Sequence, residues 1–339
     1  MALDPQIIEM INVPQSVTAA QAPPSVGRRS WGRVSARVLL DFIGLFAASI
    51  VGGLTVAAAV VLLAANAAAE PSTHVTHRVS HDETLMSIAR RYGLGFTELR
   101  AANPEVDPWL PGEGREVVVP TLHLAPTEER AGIVVNLADQ RLYFLGGRDV
   151  RARSYPLGIG RAGCETPTGT THVASKRRDP VWVPPASIRA ARPGLPAAIP
   201  PGPNNPLGAF ALNLGWEGYV IHGTNRPEGI GRRVSHGCLR LYPEDIERLF
   251  SLVAVGTKVT IVDQEVKLGW IGEELYLEVH PNQEQADQIE VGGAFRPEPL
   301  PGLREAILAY AQGRHLRIDW DRVQRIAEER NGLAERISR

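Results

Sequence analysis

Cysteine is scarce in this chain, which has two among its 339 residues. Two cysteines cannot build a disulfide framework, and they cannot alone supply a zinc site of four thiolates. An excess of charge is also lacking, because 36 Lys and Arg oppose 37 Asp and Glu for a net charge of −1. Nucleic-acid binding needs a basic surface, so the balance argues against a DNA or RNA partner. The length allows roughly two domains of about 150 residues.

A long uncharged run is present, from residue 42 to residue 65, and it is long enough to span a bilayer. Four arginines precede the run and none follows closely, so the positive-inside rule predicts a cytoplasmic N-terminus and export of the rest. Three alanines before Glu70 also fit a signal-peptidase site. Residues 38–69 are therefore interpreted as a retained inner-membrane anchor or a cleaved signal peptide. Residues 1–37 lack sustained periodicity and are predicted to be a disordered cytoplasmic tail.

A small α+β module is predicted at residues 75–121. Ser80 with Glu83 fits a capping box, an apolar helical spacing continues to Gly93, and a second short helix is expected over 96–102. Strand-like valines flank the pair of helices. The module resembles a LysM unit, a family that binds peptidoglycan, through three dipeptides: Thr84-Leu85, Ile88-Ala89 and Asn103-Pro104. That resemblance implies a glycan partner, and a plain spacer domain is the alternative.

From residue 131 the pattern changes to short β-like runs separated by turn residues, which predicts a mainly antiparallel β domain over 131–263. Residues 193–206 contain six prolines and two glycines, too many for a central strand. An ordered surface loop bordering a site is expected there. Pro243 is well placed as a first helical residue, with an apolar face following it. The strand-like runs are 133–137, 141–145, 152–159, 170–175, 180–183, 209–214, 218–222 and 258–262.

The reactive side chains concentrate in one stretch of 17 residues that begins at His222 and ends at Cys238, with His236 between them. A zinc site would need a second close cysteine or two histidines one helical turn apart. A buried thiol with hydrogen-bonded core histidines is a second interpretation. A cysteine nucleophile with a histidine base fits best, because an imidazole that accepts the thiol proton makes the attacking thiolate. The spacing leaves open which histidine is the base, and N–H groups around Gly237 and Cys238 are candidates to bind an oxyanion.

These segments resemble the signature of L,D-transpeptidases with a YkuD-type catalytic domain, which has a β-sandwich or barrel-like fold. The quoted motifs are His222-Gly223-Thr224 and Ser235-His236-Gly237-Cys238-Leu239-Arg240. The resemblance implies that Cys238 is acylated and that His222 transfers protons while the Gly223 carbonyl orients it. It further implies that His236 and Gly237 shape the oxyanion site. Ser235 and Arg240 match the motif, with a supporting role and a substrate contact both open. Neither a metal nor a cofactor is implied. Further matching residues are Val135-Asn136-Leu137, Thr166-Pro167-Thr168-Gly169, 182–187, 201–208 and 242–246.

The reaction implied by the resemblance begins when Cys238 attacks the third residue of a tetrapeptide stem and releases D-alanine. An amine of a second stem, giving a 3-3 cross-link, or of an envelope protein then takes the acyl group. Water as acceptor would make the protein an L,D-carboxypeptidase. A peptidoglycan-binding protein without catalysis is an alternative from another class, against which the complete Cys-His pattern counts. A papain-like peptidase is disfavoured because its sequence around the nucleophile is absent. The expected location is the periplasm or cell envelope.

Residues 264–339 are predicted to be an accessory segment with helical character. Lys267 to Val279 alternates as a hairpin with Gly272 at its turn, and Asp319 is placed to cap a last helix ending near Gly332. A separate hypothesis concerns Cys164, just before the Thr166-Pro167 motif. Because an exported protein meets oxidising conditions, Cys164 and a low-pKa Cys238 are hypothesised to form a reversible disulfide.

Overall fold

The computed structural model describes residues 74–126, 131–146, 152–293 and 295–339, together with the backbone of one strand at Ile7–Glu9. The rest of the predicted tail, and the whole predicted anchor or signal segment with its run at 42–65, lie outside the described residues. Across the described ranges, no helix combines the length and apolarity that a membrane crossing requires.

The elements follow in chain order. The strands are β1 (Ile7–Glu9), β2 (Val75–Arg78), β3 (Glu116–Val119), β4 (Leu122–Leu124), β5 (Ala131–Asn136), β6 (Arg141–Gly146), β7 (Arg153–Pro156), β8 (Ile159–Gly160), β9 (Gly169–Arg178), β10 (Phe210–Leu214), β11 (Val220–His222), β12 (Arg233–Ser235), β13 (Leu239–Arg240), β14 (Lys258–Val262), β15 (Val266–Ile271), β16 (Glu274–Val279) and β17 (Glu335–Arg336). The helices are α1 (Leu85–Arg91), α2 (Phe96–Ala101), α3 (Ala186–Ala191), α4 (Pro243–Leu252), α5 (Gln283–Gly292), α6 (Leu303–Tyr310) and α7 (Trp320–Glu329), with a 3-10 turn at Pro227–Gly229.

Strand β1 lies inside the stretch for which the sequence predicts a disordered tail. It pairs antiparallel with β4, with Ile7 opposite Leu124. The two consecutive isoleucines favour extended backbone, and the edge of β4 offers hydrogen-bonding groups. These three residues therefore form a strand, whereas the sequence predicts disorder for residues 1–37.

The N-terminal module, defined here as residues 74–124, has the predicted order of strand, helix, helix and strand, with β2 antiparallel to β3. The helix start differs from the predicted capping box. Asp82 has a φ of 63°, so residues 80–83 form a turn, and Thr84 is the true N-cap. Its hydroxyl accepts the Ser87 N–H at 3.1 Å, while the Ser87 hydroxyl accepts the Thr84 N–H at 3.0 Å. The capping motif is therefore shifted four residues toward the C-terminus.

An eight-stranded sheet forms the centre, in the order β13-β11-β10-β9-β14-β5-β6-β7. The mainly β prediction for this region is confirmed, as is the β5–β6 hairpin at residues 137–140. The pairing is mainly antiparallel, as predicted, and two pairs of the sheet are parallel, namely β14 with β5 and β11 with β13. Helix α4 begins at Pro243 as predicted, and its Ile246 and Leu249 are buried in the core against the sheet.

Two predicted strand runs are shorter than expected. The run at 152–159 is divided into β7, which pairs with β6, and β8, which pairs with β12. The run at 180–183 contributes only a single bridge from Trp182 to Ile199, because prolines flank it on both sides. This bridge closes the proline-rich loop, whose buried Asn205 side chain donates to the Pro180 carbonyl at 2.7 Å. The loop is ordered by these contacts.

The C-terminal segment, residues 264–339, contains the predicted β15–β16 hairpin with Gly272 at its turn, and β17 as a third strand. Asp319 caps α7 by accepting the Arg322 N–H at 3.2 Å. Helix α7 ends at Glu329, earlier than predicted, because Arg330 adopts a left-handed conformation. Helices α5 and α6 were not predicted.

Buried charges join the three parts of the chain. Arg141 of the sheet donates to Glu98 of the N-terminal module at 2.7 Å, and His123 contacts the other oxygen of that carboxylate. Lys267 of the C-terminal segment donates to Asp139 of the sheet region at 2.8 Å. These five side chains form a junction network together with those of Tyr143, Glu278 and His280.

Candidate active site

Strand pairing places the predicted nucleophile and base at neighbouring strands. Strands β11 and β13 are parallel neighbours, with Ile221 opposite Leu239 and His222 opposite Arg240. Side chains alternate between the two faces of a strand, and Cys238 immediately precedes β13. Cys238 and Arg240 therefore share the sheet face of His222, whereas Ile221 and Leu239 point into the core. The arrangement of His222 and Cys238 therefore depends on the parallel pairing of β11 with β13 and not only on their closeness in the sequence.

The His222 imidazole is buried and held in one orientation. Its Nδ1 donates to the Gly223 carbonyl oxygen at 2.6 Å, the contact that the family resemblance implied. Because Nδ1 carries the proton in this bond, the neutral ring offers Nε2 as an acceptor. Burial and then the Arg240 charge lower the pKa of His222 to about 4, despite the Gly223 bond. The ring is consequently an unprotonated base at neutral pH.

The Cys238 thiol differs from the expected low-pKa thiolate. Burial raises its pKa, and this effect exceeds the lowering by the Val220 amide and the Arg240 charge. The thiol donates to the Gly218 carbonyl oxygen at a distance of 3.5 Å. The resting Cys238 side chain is thus favoured as a neutral thiol. The expectation of a low pKa for Cys238 is wrong because desolvation of the thiol depends on the folded structure and cannot be inferred from the sequence.

Ser235 and Gly237 hold the loop before the nucleophile. The Ser235 hydroxyl donates to the Cys238 carbonyl oxygen at 2.6 Å and accepts the Gly237 N–H at 3.1 Å. Gly237 has a φ of 100°, and a Cβ there would approach Tyr219 within 3.1 Å, so only glycine fits. The Gly237 amide, a predicted oxyanion donor, is already bonded. The buried Ser235 hydroxyl thus makes both of these hydrogen bonds within the nucleophile loop.

His236 differs from His222 in being exposed. Its Nε2 is 3.2 Å from the Arg161 guanidinium, which acts as donor. Burial, and then the charges of Arg161, Arg240 and Arg192, lower the pKa of His236. The two histidines therefore differ in environment. His222 is buried and bonded to the Gly223 carbonyl, whereas His236 is exposed beside a cluster of positive charge.

Two side chains at this site escaped the sequence reasoning. Thr166 donates from its hydroxyl to the Gly237 carbonyl at 3.0 Å and accepts the Gly160 N–H at 3.1 Å, which fastens its loop to the nucleophile loop. Thr166 is in a quoted motif, so that motif was the available signal. Arg161 follows β8 and had no local signal. Cys164 is in the same loop, and both cysteines are free thiols, so the hypothesised disulfide stays a prediction.

Within the described ranges, three potential metal ligands gather at one place, namely Asp139, Glu278 and His280. This place is in the junction network and not beside Cys238. The Lys267 ammonium occupies the middle of the group, 2.8 Å from Asp139 and 2.6 Å from Glu278. These carboxylates already have a cation, which makes the group an ion-pair cluster.

Comparison with known proteins adds the family. Residues 130–261 match the model of the YkuD L,D-transpeptidase catalytic domain. The chain is 41% identical over 266 residues to the probable L,D-transpeptidase ErfK/SrfK of Salmonella typhimurium, with 76% of this chain and 84% of that protein covered. The ErfK/SrfK protein of Escherichia coli is 38% identical over 263 residues, covering 76% and 83%. A solved E. faecium L,D-transpeptidase catalytic domain is 24% identical, covers 40% of this chain and 99% of that chain, and gives a TM-score of 0.31. By the extent and identity of its curated relatives, the chain belongs to the L,D-transpeptidase family of enzymes.

Proposed function

We propose that Cys238 carries the acyl group of a peptidoglycan tetrapeptide stem and that His222 transfers the protons of the reaction. The observation that carries this proposal is the pairing of β11 with β13, which sets one thiol and one neutral imidazole on the same sheet face. The Gly223 carbonyl keeps Nε2 as the acceptor. A nucleophile, a base and a group that orients the base are the elements that covalent acyl transfer requires.

The first step forms a thioester. The Cys238 proton moves to His222 Nε2 while Sγ attacks the carbonyl carbon of the third stem residue. The tetrahedral intermediate collapses, the bond from that carbon to the D-alanine nitrogen breaks, and the His222 proton passes to the leaving amine. In the second step an acceptor amine loses a proton to His222 and attacks the thioester, and the released sulfur regains the proton. Atoms and charges balance without a cofactor.

The charges around the site favour these two reaction steps. The Arg240 guanidinium lowers both the pKa of His222 and that of Cys238, so it favours the neutral base and the developing thiolate. The Gly237 N–H is bonded to Ser235, which leaves the Cys238 amide as the favoured oxyanion donor. At the mouth, the Arg161 and Arg192 guanidiniums form a positive rim beside His236, whose pKa they lower. A stem peptide carries free carboxylates, which this rim attracts.

The acyl acceptor is proposed to be an amine of a second stem, giving a 3-3 cross-link, or of an envelope protein. Hydrolysis of the same thioester would give an L,D-carboxypeptidase. The N-terminal module is proposed to be LysM-like, supported by its β-α-α-β order and by the matching dipeptides. An envelope location with an N-terminal anchor follows from the uncharged run at 42–65. The catalytically idle alternative is disfavoured by the ordered Cys238–His222 pair.

Product analysis tests the proposal. Full-length protein is incubated with purified disaccharide-tetrapeptide, with and without an added amine, and products are identified by mass. We expect D-alanine release and a thioester adduct on the peptide that contains Cys238. Cys164→Ala is the matched control, since it removes the other thiol and should retain both signals. An adduct on Cys164, or D-alanine release in a Cys238→Ala protein, would contradict the assignment.

A further inference from the structure

The Arg240 side chain carries a positive charge that no carboxylate of the described residues neutralises. Arg240 is half-buried, and its Nε has neither solvent access nor a hydrogen-bond partner. Burial lowers the pKa of Arg240, the Cys238 thiol opposes this effect and the Arg226 charge adds to it, while no described Asp or Glu contributes. The folded chain thus leaves this guanidinium without a counter-ion.

Other arginines with a buried Nε show a different arrangement. Arg233 donates from Nη1 to Asp287 at 2.6 Å, although its Nε is also without a partner. Arg330 likewise donates from Nη1 to Glu265 at 2.5 Å. In each case a carboxylate offsets the loss of hydration that burial of a guanidinium entails. Arg240 lacks that compensation, so an anion that binds here gains a charge-assisted hydrogen bond without displacing a protein partner.

The backbone of Arg240 is held on both sides. Arg240 donates its N–H to the Gly158 carbonyl at 2.9 Å and accepts the Gly158 N–H at 2.8 Å. On its other side it is paired with His222 of β11. Its Nη1 is 4.0 Å from the position that a Cβ on Gly229 would occupy, so the side chain reaches the 3-10 turn at Pro227–Gly229. A residue held in this way needs little ordering when a ligand binds.

Arg240 is also close to the reacting thiol. It follows Cys238 by two positions, and an extended chain spans at most about 3.6 Å per residue, so the two Cα atoms are within about 7 Å of each other. Side chains two positions apart along a strand share a face. The charges of Arg161 and Arg226, which act on the same region, are positive as well. A substrate bound at Cys238 therefore meets a field that favours a negative group beside the reacting bond.

From this unpaired guanidinium beside the nucleophile, we propose that Arg240 binds a free carboxylate of the donor stem and thereby selects stems that carry one. A planar guanidinium donates two parallel N–H groups to a carboxylate, whereas a neutral amide offers one acceptor oxygen and no charge. The inference rests on the proposed function, and it makes Arg240 a substrate contact. The carboxylate belongs either to the leaving D-alanine or to the part of the stem that becomes the acyl group, and the test distinguishes these two sources.

The test compares each free carboxylate with its amide. Full-length wild type and Arg240→Gln are assayed at neutral pH with a tetrapeptide whose carboxylates are all free and with tetrapeptides amidated singly, at the C-terminus or within the acyl part. We expect the wild type to prefer the free acid over one of these amides by at least tenfold in kcat/KM for release of the C-terminal residue. In Arg240→Gln this preference should fall below twofold, because the free acid loses its partner and the amide has none to lose. Arg317→Gln is the matched control, since Arg317 is exposed in the C-terminal segment, and it should keep the full preference.

Arg240→Lys keeps the charge but not the planar pair of donors, so its preference should lie at least threefold below that of the wild type and above that of Arg240→Gln. Thermal melts identify a variant that fails to fold, and Arg240→Lys then decides.

The ratio between substrates separates recognition from structure, because damage to the fold or to the His222 base lowers the rate for acid and amide alike. Equal loss on every substrate in Arg240→Gln, or no wild-type preference for any free acid, overturns the assignment. A preference that persists in Arg240→Gln but disappears in Arg161→Gln also overturns it, since the exposed rim would then make the contact. If the wild type releases nothing from any substrate, the proposed function fails. Calorimetric binding of the same peptides to Cys238→Ala protein, with and without Arg240→Gln, still decides whether Arg240 binds the carboxylate.

Discussion

The junction network and the Cys238 site both bury ionisable groups, but the groups are charged in the first and neutral in the second. In the junction network, Lys267 is fully buried, with Asp139 and Tyr143 at 2.8 and 3.0 Å. At the catalytic site, the buried His222 has a backbone carbonyl as its hydrogen-bond partner and no carboxylate. The first arrangement pairs full charges, whereas the second keeps its reacting groups neutral.

The pKa values express this difference. Burial acts to raise the pKa of Glu278, yet the Lys267 charge and the His280 bond outweigh it and lower the value to about 2. Burial and Arg240 lower the pKa of His222 to about 4, and burial raises the pKa of Cys238. Partners thus hold Glu278 ionised, while desolvation keeps His222 and Cys238 neutral. Paired charges fix the positions of structural parts, and unpaired neutral groups remain available for proton transfer.

The largest effect is expected from Cys238→Ala. The thiol is the proposed covalent carrier, so D-alanine release should fall by about 10⁴-fold or more, while folding is retained because no buried charge loses its partner. Release is measured by coupled assay and folding by thermal melt. Cys164→Ala should retain activity, and a large loss in that control would move the nucleophile to the neighbouring loop.

His222→Gln should reduce kcat/KM by about 10² to 10⁴-fold, because general-base catalysis contributes that range. Glutamine retains a hydrogen-bonding side chain but cannot accept the thiol proton. The matched variant is His236→Gln, which removes an imidazole from the exposed mouth and should change KM more than kcat. A greater kcat loss in His236→Gln would exchange the two roles.

The opposite pattern is expected in the junction network. Lys267→Met leaves Asp139 and Glu278 buried without their cation, which should lower the free energy of unfolding by about 3–5 kcal/mol. The loss should be present above pH 4.5 and diminish as the pH falls through about 2, where the Glu278 carboxylate of the folded protein becomes protonated. Denaturant unfolding measures it. Glu217→Gln, at an exposed position, should change stability by less than about 0.5 kcal/mol.

The sequence was sufficient for the residue types of the site but not for their electrostatic states. His222, Gly223 and Cys238 were identified from two short motifs, and alternation along β11 and β13 explains why those motifs meet. The raised pKa of Cys238 depends on atoms packed around it from several elements, which no local pattern encodes. Arg161 reaches the site through the β8 loop, so its position depends on tertiary structure.

The junction network could not be predicted from the sequence, because it too depends on contacts between distant segments. Glu98 and Arg141 are 43 positions apart, and Lys267 and Asp139 are 128 apart. In its own segment each of these residues resembles an ordinary surface charge. Lys267 begins the alternating pattern that predicts the hairpin. Burial is created when the three parts pack, so the partners become identifiable only in the folded chain. The hairpin itself was predicted because its periodicity is local.

A smaller effect is expected from Ser235→Ala. Two hydrogen bonds of the nucleophile loop would be lost, so the Cys238 backbone should lose definition and kcat should fall about tenfold with little change in KM. Ser235→Thr keeps a hydroxyl and should recover part of the loss. If KM rose while kcat stayed constant in the alanine variant, Ser235 would be a substrate contact and not a positioning residue.

The smallest effect is a displaced pH profile, which tests the neutral state of His222 directly. Protonation of Nε2 removes the base, so kcat/KM should fall on the acid side only near pH 4 and not near the ordinary histidine value of 6.5. Arg240→Met removes a positive charge that opposes imidazolium formation, so the pKa of His222 should rise and the acid limb should move to higher pH. The limb is measured with free tetrapeptide at saturating and limiting concentrations. An unmoved limb in Arg240→Met would show that burial alone keeps His222 neutral, and a wild-type limb at 6.5 would mean that this ring is solvated in the working enzyme.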